Sequence, residues 1–167
     1  MVDVSPAEDF EESHAAGARN VPIVRFSSGG GGDLRAAVRS LAFASLAVRP
    51  AEDVPQEEFL RGVAAALGGS AAGVVVACAA GGTLRPTTNF PTGQASRSLL
   101  AAAALLSQGA DVLPPSRVVH LQGGVAAWRK EGMPAEGEAD WDARKGRVPS
   151  VGGALLCSAA RSRDARR

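Results

Sequence analysis

Gly73-Val74-Val75-Val76-Ala77-Cys78-Ala79-Ala80-Gly81-Gly82-Thr83 is the stretch that decides the fold. A continuous β-branched run bounded by turn residues reads as a strand buried on both faces of a parallel sheet. Cys78 follows the strand directly, and a Gly/Thr/Pro-rich loop then runs over residues 79–93. In open α/β sheets, chemistry sits outside the carboxyl ends of the strands. A thiol there is favoured as its thiolate by loop amides forming an anion nest and by the N-terminus of the next helix. The glycines at 81, 82 and 93 let backbone N–H groups point inward without side-chain obstruction. A buried, inert cysteine is the plain alternative and is common for this residue type. Position alone does not separate the two.

Outward from this strand the pattern alternates. Upstream, Val2-Asp3-Val4 reads as a strand ending in Ser5-Pro6-Ala7-Glu8. That order suggests a capping box, with Pro6 at the first helical position and Phe10 on the buried side of the helix. His14-Ala15-Ala16-Gly17-Ala18 ends this helix, and residues 20–23 form a short extended segment. Residues 27–32, SSGGGG, have almost no structural preference. Residues 34–48 carry a helical apolar pattern, and so do residues 55–67, where Phe59, Val63 and Leu67 recur every four residues before Gly68-Gly69. Downstream, residues 96–106 form an alanine/leucine helix, residues 118–121 a strand, and residues 125–130 a brief helix that stops at Gly132 with Pro134 beyond. The expected fold is therefore α/β: a parallel sheet with helices on both faces. It fills residues 1–134 as one domain. Residues 135–167 read as a basic tail without hydrophobic period, a solvated terminus whose alternative is contact with anionic lipid or an acidic partner.

Composition narrows the function. The net charge is +1 and tyrosine is absent. Neither an electrostatic footprint nor stacking platforms for nucleic acid are present, so no nucleic-acid partner is expected. Two cysteines, Cys78 and Cys157, and two histidines, His14 and His120, make neither a disulfide framework nor a four-ligand zinc site. No metal and no cofactor are expected. The longest low-charge run in the first half, residues 40–48, falls far short of the roughly 20 apolar residues that cross a bilayer. The polar, acidic start shows no signal peptide.

Four ordered blocks resemble the rhodanese-like domain family over residues 2–134. Val2-Asp3-Val4 with Pro6, Glu8, Phe10, His14, Gly17-Ala18 and Asn20-Val21-Pro22 is similar to that family's opening motif. Residues 74–78 resemble its strand leading to the active cysteine, and Arg97-Ser98 with Ala101-Ala102 its next helix. His120-Leu121-Gln122-Gly123-Gly124 with Trp128, Gly132 and Pro134 resembles its closing motif. The long loop, with Gly81-Gly82-Thr83, Arg85-Pro86-Thr87 and Gly93-Gln94, is most similar to a plant and algal chloroplast branch.

The resemblance implies a single rhodanese-like domain with sulfurtransferase chemistry. Cys78 takes sulfane sulfur from a small donor such as thiosulfate, holds it as a persulfide, and passes it to cyanide, a thiol or a protein thiol. Gly81, Gly82, Thr83, Arg85, Arg97 and Ser98 are the implied donor-binding residues. The branch implies a chloroplast location, with peripheral contact at the thylakoid surface and no transmembrane segment. Ser5 stands where the family usually has arginine, and Ala79 where many active members have one. Either residues 78–83 form the cradle with an insertion behind them, or Arg97 closes the loop. The missing arginines support a second reading, a catalytically weak module that binds a protein or thylakoid-associated partner. A cysteine phosphatase would need arginine at the sixth position after the cysteine, where Leu84 stands, with Arg85 one further.

The remaining conspicuous residues read as structural. His14 ties the turn after the first helix, His120 packs in its strand, Trp128 anchors the last helix, and Cys157 lies in the tail. The sequence is silent on oligomeric state.

Overall fold

The computed structural model describes residues 1–26, 51–69, 72–88 and 90–137. The expected helix at 34–48, the glycine run at 27–32, and residues 138–167 with Cys157 lie outside the described residues.

Four short strands, β1 (Val2–Asp3), β3 (Arg19–Asn20), β6 (Val74–Ala77) and β7 (Val118–His120), form a wholly parallel sheet in the order β3-β1-β6-β7. The mixed α/β architecture with a parallel sheet matches the expectation. β6 is central because its β-branched run fills both faces. Val74 and Val76 point to one side, with Val2 of β1 and Val4 just beyond it. Against them pack Phe59 and Val63 of α2 (Gln56–Leu67) and Ala101 and Leu105 of α3 (Arg97–Gln108). On the other side Asp3 and Ala77 are also buried, so neither face meets solvent at the centre. α2 stops at Gly68, whose left-handed backbone caps it as the Gly-Gly signal predicts.

Three features differ from the sequence reading. Ser5 does not cap α1 (Ala7–Glu12); Pro6 holds the cap position without a side-chain bond. Ser5 is instead buried, its N–H donating to Asp3 Oδ1 at 2.9 Å and its carbonyl accepting from Asn20 Nδ2 at 2.8 Å. Buried backbone polar groups must pair, and these neighbours at the sheet's carboxyl edge claim Ser5 before the helix does. Secondly, Ala135–Glu136, which the sequence places in the tail, forms β8 and pairs antiparallel with β2 (His14–Ala15). Thirdly, β4 (Val24–Phe26) pairs with β5 (Ala51–Asp53), two segments without a readable period in the sequence. Trp128 sits half-buried at the edge, its indole N–H donating to the Pro134 carbonyl at 2.7 Å. His14 does tie the first turn: it stacks on Phe10 and bonds the Phe10 carbonyl at 2.8 Å.

Asp3 is the costly group in this core. It is 1% exposed, and only Oδ1 has a partner; Oδ2 has none. Burial pushes its carboxyl above the ordinary value of 3.8, against the Ser5 hydrogen bonds and the nearby charges of Arg97 and His14. The folded state therefore holds this proton longer than the unfolded chain does. The group's contribution is most favourable below the unfolded value and is lost as pH rises through the folded one. Asp3→Asn removes that dependence. Denaturant unfolding from about pH 3 to 7 should show the wild type losing stability relative to the variant as pH rises. Parallel curves would contradict this assignment.

Candidate functional site

The site is built where one strand ends and two helices begin. β6 delivers Cys78 to the carboxyl edge of the sheet, α3 begins beside it, and α4 (Gly124–Lys130) begins against the other side of its backbone. Val125 N–H donates to the Cys78 carbonyl and Ala126 N–H to the Ala79 carbonyl, each at 3.0 Å. This approach is possible only because residue 124 has no side chain. A Cβ there would stand 2.1 Å from the Cys78 carbonyl oxygen and 2.6 Å from the Gly81 nitrogen.

The Cys78 side chain turns toward α3. Its Sγ lies 3.2 Å from Ser98 Oγ and accepts from the Gly81 N–H at 3.4 Å. Ser98 is fully buried, and its hydroxyl also meets Ser96 Oγ at 3.1 Å and His120 Nε2 at 3.0 Å. Ser96 is the N-cap of α3: its Oγ accepts from Leu99 N–H at 3.2 Å and donates to the Gly81 carbonyl at 3.0 Å. One capping serine thus joins the helix start to the loop that faces the thiol. The thiol itself is buried, 2% exposed.

The other residues singled out from the sequence lie further off. Thr83 bridges to Gln94 through two backbone bonds, 2.9 and 2.7 Å, which close the loop at its base. Gly82 sits inside that closure, its N–H bonded to the Ala80 carbonyl at 2.9 Å. Beyond the bridge the chain makes an excursion that exposes Leu84 and Phe90, and Arg85 is exposed there too, its N–H bonded to Thr83 Oγ1. Arg97 does not close the loop. Its guanidinium is held by Asp9 of α1 at 2.9 Å. Residues 78–83 turn back beside the thiol, and the excursion beyond the Thr83–Gln94 bridge follows them. His120 was expected to pack, and instead its ring nitrogen bonds Ser98. His120 ends a parallel strand beside β6, in register with Val76, a pairing that only the structure reveals.

Among the described residues no helix is long and apolar enough to cross a membrane. No family model matches the chain. A search of curated proteins finds similarity to "Rhodanese-like domain-containing protein 14, chloroplastic" from Arabidopsis thaliana, 38% identical over 138 residues. The match takes in 81% of this chain and 57% of that protein, so the chain spans little more than half of its relative's length. Among solved structures, the crystal structure of the BH2092 protein from Bacillus halodurans overlaps 86% of this chain and 72% of its own, at 18% identity and a TM-score of 0.42.

The contact at residue 124 generates a test. Gly124→Ala adds a carbon against three backbone atoms and forces an alanine to φ +60°. The expected cost is about 1–3 kcal/mol for the backbone alone, with overpacking added. Gly132→Ala carries similar backbone strain, φ +72°, but meets nothing within 4 Å. Thermal unfolding should show the first variant clearly below the second. Equal melting temperatures would mean that the start of α4 does not grip the loop.

Proposed function

The chain belongs to the rhodanese-like domain family, and from that premise we propose that it is a sulfurtransferase working through a persulfide on Cys78. The observation that carries this reading is the thiol at the carboxyl end of β6, with the Gly81 N–H and the Ser98 hydroxyl both within hydrogen-bond reach of Sγ.

In the first half-reaction the Cys78 thiolate attacks the outer sulfur of a donor such as thiosulfate. A sulfur–sulfur bond forms, the bond to the sulfite sulfur breaks, and sulfite leaves with the electron pair. In the second, a thiol or cyanide attacks the terminal sulfur of the persulfide, and the Cys78 thiolate departs. Hydrogen-bond donors aimed at a developing anion stabilise both steps in a site that excludes water. Here Gly81 N–H and Ser98 O–H are those donors, and Gly82 and Thr83 maintain the turn that aims the first.

The cradle is poor in positive charge. Ala79 supplies none, Arg97 is engaged by Asp9, and Arg85 lies on the exposed excursion. A small dianion therefore lacks a charge-assisted contact, worth about 1.5–3 kcal/mol. The reading favours a thiol-linked or protein-borne sulfur over thiosulfate as substrate. The exposed Leu84 and Phe90 beside the cradle suit a larger donor or acceptor that moves the loop as it docks. The proposed compartment is the chloroplast, supported by the description of the Arabidopsis relative, with the thylakoid surface as its finer form.

The turnover of thiosulfate with cyanide tests this. Cys78→Ala should abolish it. Ala79→Arg should raise it about tenfold to a hundredfold, the equivalent of the missing contact. A wild type that already turns over thiosulfate efficiently, together with an Ala79→Arg variant of unchanged rate, would overturn the account of donor choice. Full activity in Cys78→Ala would overturn the assignment of the thiol.

A further inference from the structure

From the line of hydrogen bonds that runs from Cys78 through Ser98 to His120, we infer that Ser98 and His120 form a proton relay that generates the Cys78 thiolate. This deepens the sulfurtransferase reading and rests on it for the identity of the nucleophile.

The argument starts from proton counting. Ser96 has one hydroxyl proton, and it is donated to the Gly81 carbonyl at 3.0 Å. Toward Ser98, Ser96 can therefore only accept. Ser98 also has one hydroxyl proton, and three acceptors surround it: Ser96 Oγ at 3.1 Å, Cys78 Sγ at 3.2 Å and His120 Nε2 at 3.0 Å. A neutral imidazole nitrogen is the strongest acceptor of the three, since the alternatives are a hydroxyl already accepting from Leu99 N–H and a weakly accepting thiol sulfur. Ser98 thus donates to His120 Nε2, with the other ring proton on Nδ1. Its oxygen is left to accept the Cys78 S–H.

That arrangement is poised to reverse. The thiol proton moves to Ser98 Oγ while the Ser98 proton moves to His120 Nε2. One S–H and one O–H bond break, one O–H and one N–H bond form, and serine stays neutral. The products are a thiolate and an imidazolium, with no external base consumed. Each hydrogen bond survives with its polarity exchanged: Nε2–H donates to Oγ, and the new Ser98 O–H donates to the sulfur anion, as the Gly81 N–H does from the other side. The relay runs backwards when Cys78 regains its proton after sulfur has been delivered. Ser98 touches the reacting sulfur and acts as a catalytic residue. His120 acts through it, as the group that holds the proton.

The relay is separable from sulfur chemistry, because alkylation needs the thiolate but no sulfur donor. The experiment uses the full chain, treats it with iodoacetamide at neutral pH, and follows the Cys78 peptide by mass spectrometry. His120→Ala, His120→Gln and Ser98→Ala should each slow alkylation by about tenfold or more, the loss of a charge-assisted partner. Glutamine tests the point most sharply, since it can accept a hydrogen bond but cannot take the proton. Added imidazole should restore His120→Ala and leave Ser98→Ala slow. Easier access to the thiol would raise the rates of the smaller variants, which is the opposite sign. Alkylation of His120→Gln at the wild-type rate would overturn the relay, as would equal rescue of both alanine variants. Alkylation as expected in a protein that accepts no sulfur from any donor would support the relay and remove the sulfurtransferase reading.

Discussion

The site depends on the grip of α4 on the backbone just past β6. The Val125 and Ala126 amides donate to the carbonyls of Cys78 and Ala79, and Gly124 allows the two chains to come close enough to do so. With those carbonyls turned toward α4, the Cys78 side chain and the Gly81 amide face each other on the α3 side. α3 then contributes its first turn, where Ser96 ties the helix to the loop and Ser98 meets the thiol. The sheet supplies the platform: β6 lies between β1 and β7, and the three strands end at a common edge.

Much of this was legible in the sequence because the signals are local. The run of three valines marked the central strand, Gly68-Gly69 marked the end of α2, and the alanine/leucine run of residues 96–106 marked α3. The strand-end position of Cys78 was legible in the sequence, and the family resemblance singled out Ser98, which lies 3.2 Å from the Cys78 sulfur. What the sequence could not supply was register and rotation. Arg97 and Ser98 are adjacent, yet a helix turns about 100° per residue, so Ser98 faces the thiol while Arg97 reaches back to Asp9 of α1. His120 was illegible for a different reason. Its importance follows from the pairing of Val76 with His120 across β6 and β7, and that pairing joins segments more than forty residues apart in the chain. Ser5 failed as a helix cap because its partners, Asp3 and Asn20, come from two neighbouring strands.

A thiol that is 2% exposed and cradled by one amide and one hydroxyl is arranged differently from a thiol held by a ring of charges. Neutral donors stabilise a sulfur anion without fixing the identity of the incoming group. On the proposed sulfurtransferase reading, donor selection falls to whatever contacts the excursion beyond the Thr83–Gln94 bridge, where Leu84, Arg85 and Phe90 are exposed. Buried Asp3, half-satisfied at the same edge and within electrostatic reach of the Arg97 guanidinium, adds a destabilising group next to the site. Unfavourable buried groups of this kind concentrate where structure serves chemistry rather than stability.

The central claim is that Cys78 carries sulfur. Its most direct measurement is peptide mass spectrometry, without reductant, of the full chain after incubation with a sulfane-sulfur donor such as mercaptopyruvate-derived or thiol-linked persulfide. The account predicts one added sulfur on the Cys78 peptide, lost again when a thiol acceptor is supplied. A Cys78 peptide of unchanged mass after exposure to every donor class, in a protein that remains folded, would contradict it.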